Sequence, residues 1–576
     1  MRDPASESVA LNVARRFTIS LATAADREEI YQARHDVYGQ ELGQHPTNAR
    51  GRLVDELDDR NAYLVGRVGN ELAGFVSITP AGSPSFSIDK YFSRASLPFS
   101  FGAGTHEVRL LTVVEPFRGS ALASLLMYAA FRWIQAQGGT HVAAIGRRDV
   151  LDLYLRAGLV PVGLDTQAGA VTYDLLHAEV AHLARRANDH DGVLRRLEQR
   201  ADWSLPFAFF QPVPCFHGGA LFEVLGPGVD ALSRASDVVN ADVLDAWFPP
   251  SPGVLRALSE NLPWLLRTSP PTGCELLAEH VAAVRGVRPA NILPGAGSSD
   301  LIFRALPHWL TKHSRALILD PTYGEYAHVL ERVVGCRVDR LRLHRARDYR
   351  VDLEALAEAL GRGYDLIMLV NPNSPTGQHI HRSDLEAVLG GVPSATRIWI
   401  DETYVEYTGQ GQSLEPFAAR SENVIVCKSM SKVYGLSGAR VAYLCAAAHQ
   451  LESLRSITPP WAVNLPAQVA AVHALDDPVY YARRHVETAE ARERLRVEVS
   501  ALGLDVVPST ANFILCHLPE SGPTAADVVA RCRAENVLIR DAGQMGASLG
   551  ARAIRIAVKS PPDNQRIVGA LARAVT

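Results

Sequence analysis

The chain has very little lysine. Of its 576 residues only Lys90, Lys312, Lys428, Lys432 and Lys559 are lysine, and arginine carries the rest of the cationic load. A lysine kept among small polar residues is therefore a candidate for amine chemistry rather than for solvation. Cysteine is sparse too. Cys215, Cys274, Cys336, Cys427, Cys445, Cys516 and Cys532 lie far apart, without the close pairs of a zinc site or the density of a disulfide scaffold, so they read as reduced, mostly buried thiols with no metal site. No excess of one charge sign exists: the net charge of −4 leaves no electrostatic footprint for nucleic acid or an anionic membrane surface. There is no apolar run long enough to cross a bilayer, and the start "MRDPASESVALNVARRF" has no apolar signal core. The expectation is a soluble, cytoplasmic protein whose partners are small molecules or another protein.

What is present is a chain too long for one core, which points to two to four domains. Residues 1–185 alternate strand-like and helix-like segments. "NAYLVGRVGNELAGFVSIT" reads as a hairpin about Gly69-Asn70, "HEVRLLTVV" and "HVAAIG" as strands, and "ALASLLMYAAFRWIQAQGG" as an apolar helix closed by glycines. The charged "HAEVAHLARRANDHDGVLRRLEQRAD" and the Pro-rich, aromatic "WSLPFAFFQPVPCFHGGALFEVLG" read as a connector and an ordered interdomain linker, about 186–235; Cys215 and His217 fall in it. From 236 onward short apolar strands, "RALILDP", "DLIMLVNPN", "RIWIDE", "NVIVCKSMS" and "ARVAYLCA", alternate with helices, one of them opened by a capping box from Ser383 to Glu386. The fold class is α/β, a largely parallel sheet covered by helices, with sites at the carboxyl ends of the strands.

Four of those strand ends carry unusual chemistry. "GAGSSD" (295–300) leads into a helix, as phosphate-binding turns do. "NPNSPTG" (371–377) is a rigid turn presenting polar side chains. "DETY" places Asp401 and Tyr404 after a buried strand, where a carboxylate needs a cation or donors. "SMSKVYGLSGAR" sets Lys432 beside Ser429 and Ser431, with Arg440 beyond. Together they meet the needs of pyridoxal phosphate: an amine for a Schiff base (Lys432), a carboxylate for the ring nitrogen, a phenol for the ring hydroxyl, and a phosphate cradle that includes Ser429, Ser431 and Arg440.

These motifs, with "DPTYGEY", resemble the fold type I aminotransferases, most closely histidinol-phosphate aminotransferase and threonine-phosphate decarboxylase, over residues 236–576. The resemblance implies a three-layer α/β/α large domain at about 275–470 and an α/β small domain from about 236–270 and 471–576, assembled as a homodimer. It implies Lys432 for the Schiff base, Asp401 for the pyridine nitrogen, Tyr404 for the ring hydroxyl, Tyr323 stacked on the ring, and the Ser298 and Ser299 amides near the phosphate. Arg555 in "AIRIAV" would meet the substrate carboxylate and Arg540 in "VLIRDAG" a distal anion. Three departures stand out. The usual Asn before Pro-Thr-Gly is Ser374, with Asn373 one place earlier; the opening "LNxNENP" is here "VVNADVLDAWFPP"; and "RYP" is here "RTSPPT". Substrate recognition is expected to differ accordingly, and "PPWAVNLPAQ" is closer to the decarboxylase branch.

The amino-terminal segment "VVEPFRGSALASLLMYAAFRW" resembles the acetyl-coenzyme A segment of the GNAT acyltransferases, a mixed α/β fold, over about residues 17–175. Arg118, Gly119 and Ala121 fall in its pyrophosphate turn, with Ala121 in place of glycine, and Tyr154 in "DLYLRAGLVPVG" takes the place of the acid that serves the leaving thiolate. "ARHDVYGQELG", "LVDELDDRNAYLVG" and "HEVRLLTV" are similar to the branch of acyl-homoserine-lactone and long-chain N-acyl amino acid synthases, whose polar positions Arg34, Asp55, Asp58 and Glu107 approach; Arg109 is one residue out of register. The donor is then a thioester of coenzyme A or of acyl carrier protein. The expected whole is a bifunctional enzyme that transaminates an amino acid or amine and acylates an amine, Arg555 and Arg540 orienting a doubly anionic substrate. Two alternatives stay open, a decarboxylase with the same acyltransferase domain and a pyridoxal phosphate enzyme carrying a non-catalytic acyl-metabolite sensor.

Overall fold

The computed structural model describes residues 16–99, 101–169, 171–189, 200–205, 218–226 and 229–575. Cys215 and His217 lie outside them; the six described cysteines are buried free thiols. The chain divides into two compact units, Met1–Val213 and Pro214–Thr576. No helix among the described residues is long and apolar enough to cross a membrane.

The first unit is built on an eight-stranded sheet in the order β6-β7-β5-β4-β3-β2-β1-β8. Its members are β1 (Phe17–Leu21), β2 (Ala62–Val68), β3 (Glu71–Thr79), β4 (Thr105–Val113), β5 (His141–Arg147), β6 (Val160–Ala168), β7 (Val171–Glu179) and β8 (Ala201–Ser204). The hairpin at Gly69-Asn70 forms as the turn chemistry dictates, with Gly69 at φ 58. Helix α1 (Ala24–Arg34) opens on a capping box of Thr23 and Asp26, and α2 (Leu122–Ala136) buries Leu122, Leu125, Leu126, Ala129 and Ala130 on the sheet. Helices α3 (Leu151–Ala157) and α4 (Val180–Asp189) follow. β4 and β5 run parallel only from Thr105 to Val108.

The charged stretch read as a connector begins inside the first unit, since its "HAE" ends β7 and Val180 and Leu183 of α4 belong to that unit's core. Within 186–235, Ala201–Ser204 pairs in parallel with β1 at the sheet edge. A four-residue edge strand has too few alternations to announce itself.

In the second unit a seven-stranded sheet takes the order β10-β16-β15-β14-β13-β11-β12. These are β10 (Ile292–Gly295), β11 (Arg315–Asp320), β12 (Arg337–Arg342), β13 (Leu366–Val370), β14 (Arg397–Asp401), β15 (Val424–Ser429) and β16 (Ala442–Cys445). β11 to β15 are parallel; the apolar runs of β11, β13, β14 and β15 reflect cover on both faces, while the edge strand β12 is charged and partly exposed. β16 is antiparallel to both neighbours, so "ARVAYLCA" departs from the parallel expectation. Helices α5 (Glu275–Arg285) and α6 (Ser298–Trp309) flank β10. The capping box at Ser383 is absent: α7 (Arg382–Leu389) is capped by His381, whose ring accepts from the Ser383 amide. A second, antiparallel sheet, β17-β18-β21-β20, holds β17 (Asp505–Val507), β18 (Phe513–His517), β20 (Arg540–Asp541) and β21 (Ala553–Ala557). β9 (Val239–Asn240) pairs with β19 (Val537–Leu538), and the Ala557 amide donates to Ala241 O at 3.0 Å. That tie anchors residues 239–245 beside β20 and β21, which places the segment's carboxylates at the site.

Candidate functional site

Sequence-distant strand ends meet in one cavity of the second unit, lined by Ser298, Ser299, Tyr323, Ser374, Asp401, Thr403, Tyr404, Ser429, Ser431, Lys432, Arg440, Arg540 and Arg555, with Val243 and Leu244. Parallel strands leave their carboxyl ends on one edge, so residues 130 apart in sequence become neighbours. At the floor, Asp401 is 4% exposed. One carboxylate oxygen accepts from the Thr403 amide (2.9 Å) and hydroxyl (2.6 Å), the other from Tyr326 Oη (2.6 Å), which itself accepts from Trp399 Nε1 at 3.0 Å. Burial still pushes the Asp401 carboxyl above its ordinary range, against the pull of those donors. The Tyr323 and Ser299 hydroxyls both donate to Glu325, at 2.8 and 3.0 Å.

The phosphate-type turn is built around Gly297, at φ 92, where a Cβ would stand 2.3 Å from Arg440 Nη2. Glycine there lets the Arg440 guanidinium lie across the start of α6, itself a source of positive potential. Lys432 Nζ sits 2.7 Å from Asp245 Oδ1 and 3.5 Å from Ser437 Oγ. Burial lowers the Lys432 pKa, the Asp245 charge opposing it. Asp245, raised by burial, is brought below its ordinary value by Lys432, Ser437 and Lys559.

Arg540 and Arg555 stand opposite each other in the β20–β21 pair. Like charges at that spacing repel, and Asp242 answers them: its Oδ1 lies 2.6 Å from Arg540 Nε, and its carbonyl accepts from Arg555 Nη2 at 3.0 Å. Arg555 Nη1 donates to Ser374 Oγ at 3.2 Å, while its Nε is buried with no partner among the described residues. Burial and Arg540 lower the Arg555 pKa to about 10. The expectation that Arg540 awaits a distal anion is therefore corrected, because a buried carboxylate of the chain already meets it. Asn373 is corrected as well. It does not line the cavity; its amide donates to Pro321 O (3.0 Å) and Thr376 Oγ1 (3.1 Å) and its carbonyl accepts from Thr322 (3.1 Å), so it braces the turn while Ser374 faces the site.

Sequence reasoning missed Asp242, Asp245, Thr403, Tyr326, Glu325 and Lys559. The first two lie in the stretch that departs from "LNxNENP", which was the one available signal. Lys559 donates to the Asp245 carbonyl at 3.0 Å, and burial depresses its pKa to about 8.

In the first unit a cavity of about 570 Å³ lies under α2, α3 and α4, lined mainly by Val108, Met127, Phe131, Ile134, Val142, Ala144, Leu153 and Leu159, with Tyr154 in its wall. Burial pushes the Tyr154 phenol up. Arg118, Gly119 and Ala121 do not line this cavity. Arg118 makes a two-pronged pair with Glu41 at 2.6 and 2.7 Å, Gly119 is open at φ 77, and Ala121 is the cap residue of α2.

Glu107, which the resemblance to the synthase branch would make a catalytic residue together with Tyr154, is held here as a brace. It is fully buried, and its carboxylate accepts from the Ser87 amide (2.8 Å) and hydroxyl, the Ile88 amide (3.0 Å) and Thr79 Oγ1 (3.4 Å). Those donors pin 87–88 to β4 and leave it no reach toward a substrate. Arg34, Asp55, Asp58, Tyr63 and Arg109 form one buried polar network: Arg34 Nη1 donates to both Asp58 oxygens at 2.8 Å, and Arg109 pairs with Asp55. Burial raises Asp55, but Arg109 and Arg34 hold it down at about 2. Between Arg109 and Thr112, β4 carries one residue more than β3 does between Ser77 and Phe75, a bulge that defeats simple counting along this strand.

Comparisons with known proteins agree with this division. The family model "Aminotransferase class I and II" matches residues 249–571, and "Acetyltransferase (GNAT) family" matches 27–159. Histidinol-phosphate aminotransferase 2 of Carboxydothermus hydrogenoformans is 31% identical over 354 residues, 60% of this chain and 95% of the relative. The Moorella thermoacetica histidinol-phosphate aminotransferase is 30% identical over 60% of this chain and 89% of its own. Among solved structures, the Sinorhizobium meliloti histidinol-phosphate aminotransferase in complex with pyridoxal-5'-phosphate shares the fold, with a TM-score of 0.55 and 24% identity over 63% of this chain and 99% of that one. The chain belongs to the class I and II aminotransferases, and it carries a GNAT-family domain ahead of its aminotransferase domain.

Proposed function

We propose that the second unit transaminates an amino acid or amine with pyridoxal phosphate, and that the first transfers an acyl group from a coenzyme A or carrier-protein thioester to an amine. The observation that carries the first reading is the convergence of Lys432, Asp401 and Arg440 on one cavity. The residues fit the cofactor on two structural counts. Gly297 leaves room for Arg440 over the start of α6, a cradle for a phosphate. Asp401, buried and biased toward its neutral form, gains a counter-ion when a protonated ring nitrogen faces it.

When bound, pyridoxal phosphate supplies an electron sink for the bonds at the substrate α-carbon. The protein does the rest. Lys432, whose ammonium is disfavoured by burial, holds a nucleophilic amine, takes the proton from the substrate Cα and returns it later. Arg440, Ser298, Ser299, Ser429 and Ser431 would hold the phosphate, Tyr404 would meet the ring hydroxyl, and Tyr323 would contact the ring. Arg555 orients the substrate carboxylate through the donor it has to spare. The test is to incubate the cofactor-loaded protein with candidate amino acids. Pyridoxamine phosphate and an oxo acid are expected; carbon dioxide without an oxo acid would replace transamination with decarboxylation.

The apolar cavity beside Tyr154 supports the acyl-transfer reading, since it can take a hydrocarbon chain out of water. Tyr154→Phe is expected to lower acyl transfer from labelled donor about 10²-fold, the loss of one general acid, without changing the melting temperature. Glu107→Gln is expected to do the reverse, costing about 1–3 kcal/mol of stability through its donors while leaving turnover of the folded fraction intact. Tight donor binding without turnover would instead mark the unit as a sensor.

A further inference from the structure

The relatives named above act on a phosphorylated substrate, as their names state. The charges in this cavity are arranged for something else. A phosphate at the distal end of a substrate needs a cation that is not already spoken for. Arg540 has the position for it, but Asp242 is 2.6 Å away, and the side chains of both are less than 10% exposed. A phosphate that displaced that carboxylate from Arg540 would leave Asp242 a buried, unpaired anion, which costs several kcal/mol. The next candidate, Lys559, donates to the Asp245 carbonyl at 3.0 Å and sits beside the Asp245 carboxylate. That carboxylate is also the partner of Lys432, and its side chain is 40% exposed. Arg555 keeps a buried Nε with no hydrogen-bond partner among the described residues, whereas Arg540 Nε faces the Asp242 carboxylate; that leaves Arg555 for a single carboxylate.

Resting on the aminotransferase reading, we infer that Asp242 and Asp245 fit the site to an amino substrate with one carboxylate and an uncharged or cationic distal group, and set it against a phosphorylated one. Asp242 acts by neutralising Arg540, and Asp245 by keeping a negative charge beside Lys432. Both are supplied by the stretch 239–245 that β9 and the Ala557 amide tie to the small sheet, so one local change of sequence reverses the preference.

The test uses the full chain loaded with pyridoxal phosphate and matched ligand pairs that keep the carboxylate: L-serine and O-phospho-L-serine, and L-threonine and O-phospho-L-threonine. The concentration giving half of the change in bound-cofactor absorbance is read for each. The unaltered protein is expected to gain nothing from the phosphate in any pair. Asp242→Asn, which leaves a hydrogen bond to Arg540 but removes the opposing charge, is expected to bind the phosphorylated members at least tenfold more tightly than the unaltered protein does. A tenfold or greater preference of the unaltered protein for a phosphorylated member overturns the inference. So does a soluble, cofactor-loaded Asp242→Asn protein that gains no affinity for them. If the variant fails to fold, the comparison on the unaltered protein decides alone. Failure of the aminotransferase reading is seen separately, as a protein with no bound-cofactor absorbance before any ligand is added.

Discussion

Lys432→Ala is expected to abolish covalent attachment of pyridoxal phosphate and to lower the amino-transfer half-reaction by at least about 10³-fold. The segment holds two lysines four residues apart, and their surroundings decide between them. Lys428 is 2% exposed. Its Nζ lies 2.7 Å from Glu406, 3.5 Å from Glu402 and 3.9 Å from Glu415, carboxylates that keep it protonated despite burial. An ammonium has no lone pair to give. Lys432 has one carboxylate partner, lines the cavity and is pushed by burial toward the neutral amine. Borohydride reduction of the loaded protein followed by peptide mass analysis is therefore expected to place the adduct on Lys432 and not on Lys428. In the alanine variant no adduct is expected at all. An adduct on Lys428 or Lys559, or full activity without Lys432, would remove the basis of the functional reading.

The cofactor-facing half of the site could be read from sequence because its chemistry is local. A lysine between serines, a carboxylate at the end of an apolar strand and a glycine turn before a helix each state their role within a few residues, and the parallel topology brings such ends together. The rest depends on partners far away in the chain. Asp242 matters because Arg540 and Arg555 face each other across β20 and β21, nearly three hundred residues later. Asp245 matters because a loop almost two hundred residues on brings Lys432 to it. Nothing in the local sequence of either aspartate records that. Glu107 shows the opposite failure: its position in a motif suggested chemistry, but the donors of 87–88 and Thr79 fold over it and make it a brace. The edge strand Ala201–Ser204 is too short for periodicity to reveal, and only its pairing with β1 defines it.

Lys428→Met is expected to cost about 3–5 kcal/mol of stability in the second unit, the usual result of removing one partner from a buried charge network. Lys428 and Arg285 are the cations of a group whose anions are Glu402, Glu406 and Glu415; Arg285 lies 3.3 Å from Glu406 and 3.4 Å from Glu415. With the lysine gone, three carboxylates share one guanidinium. The group already shows its excess of negative charge, since burial, opposed by Lys428 but helped by Glu415, raises Glu402 from an ordinary 4.5 to about 7. The folded protein thus keeps a proton on Glu402 that the unfolded chain releases near pH 4.5. That contribution to stability is complete below pH 4.5 and is lost as the pH rises through about 7. Loss of Lys428 pushes Glu402 higher still, so the variant is expected to be weaker relative to the parent at pH 8 than at pH 5.5. Urea unfolding followed by the circular dichroism of the bound cofactor, at matched ionic strength, measures both quantities in this unit. A loss below about 1 kcal/mol that is equal at the two pH values would mean that the carboxylates find other partners and that Lys428 does not hold the network together.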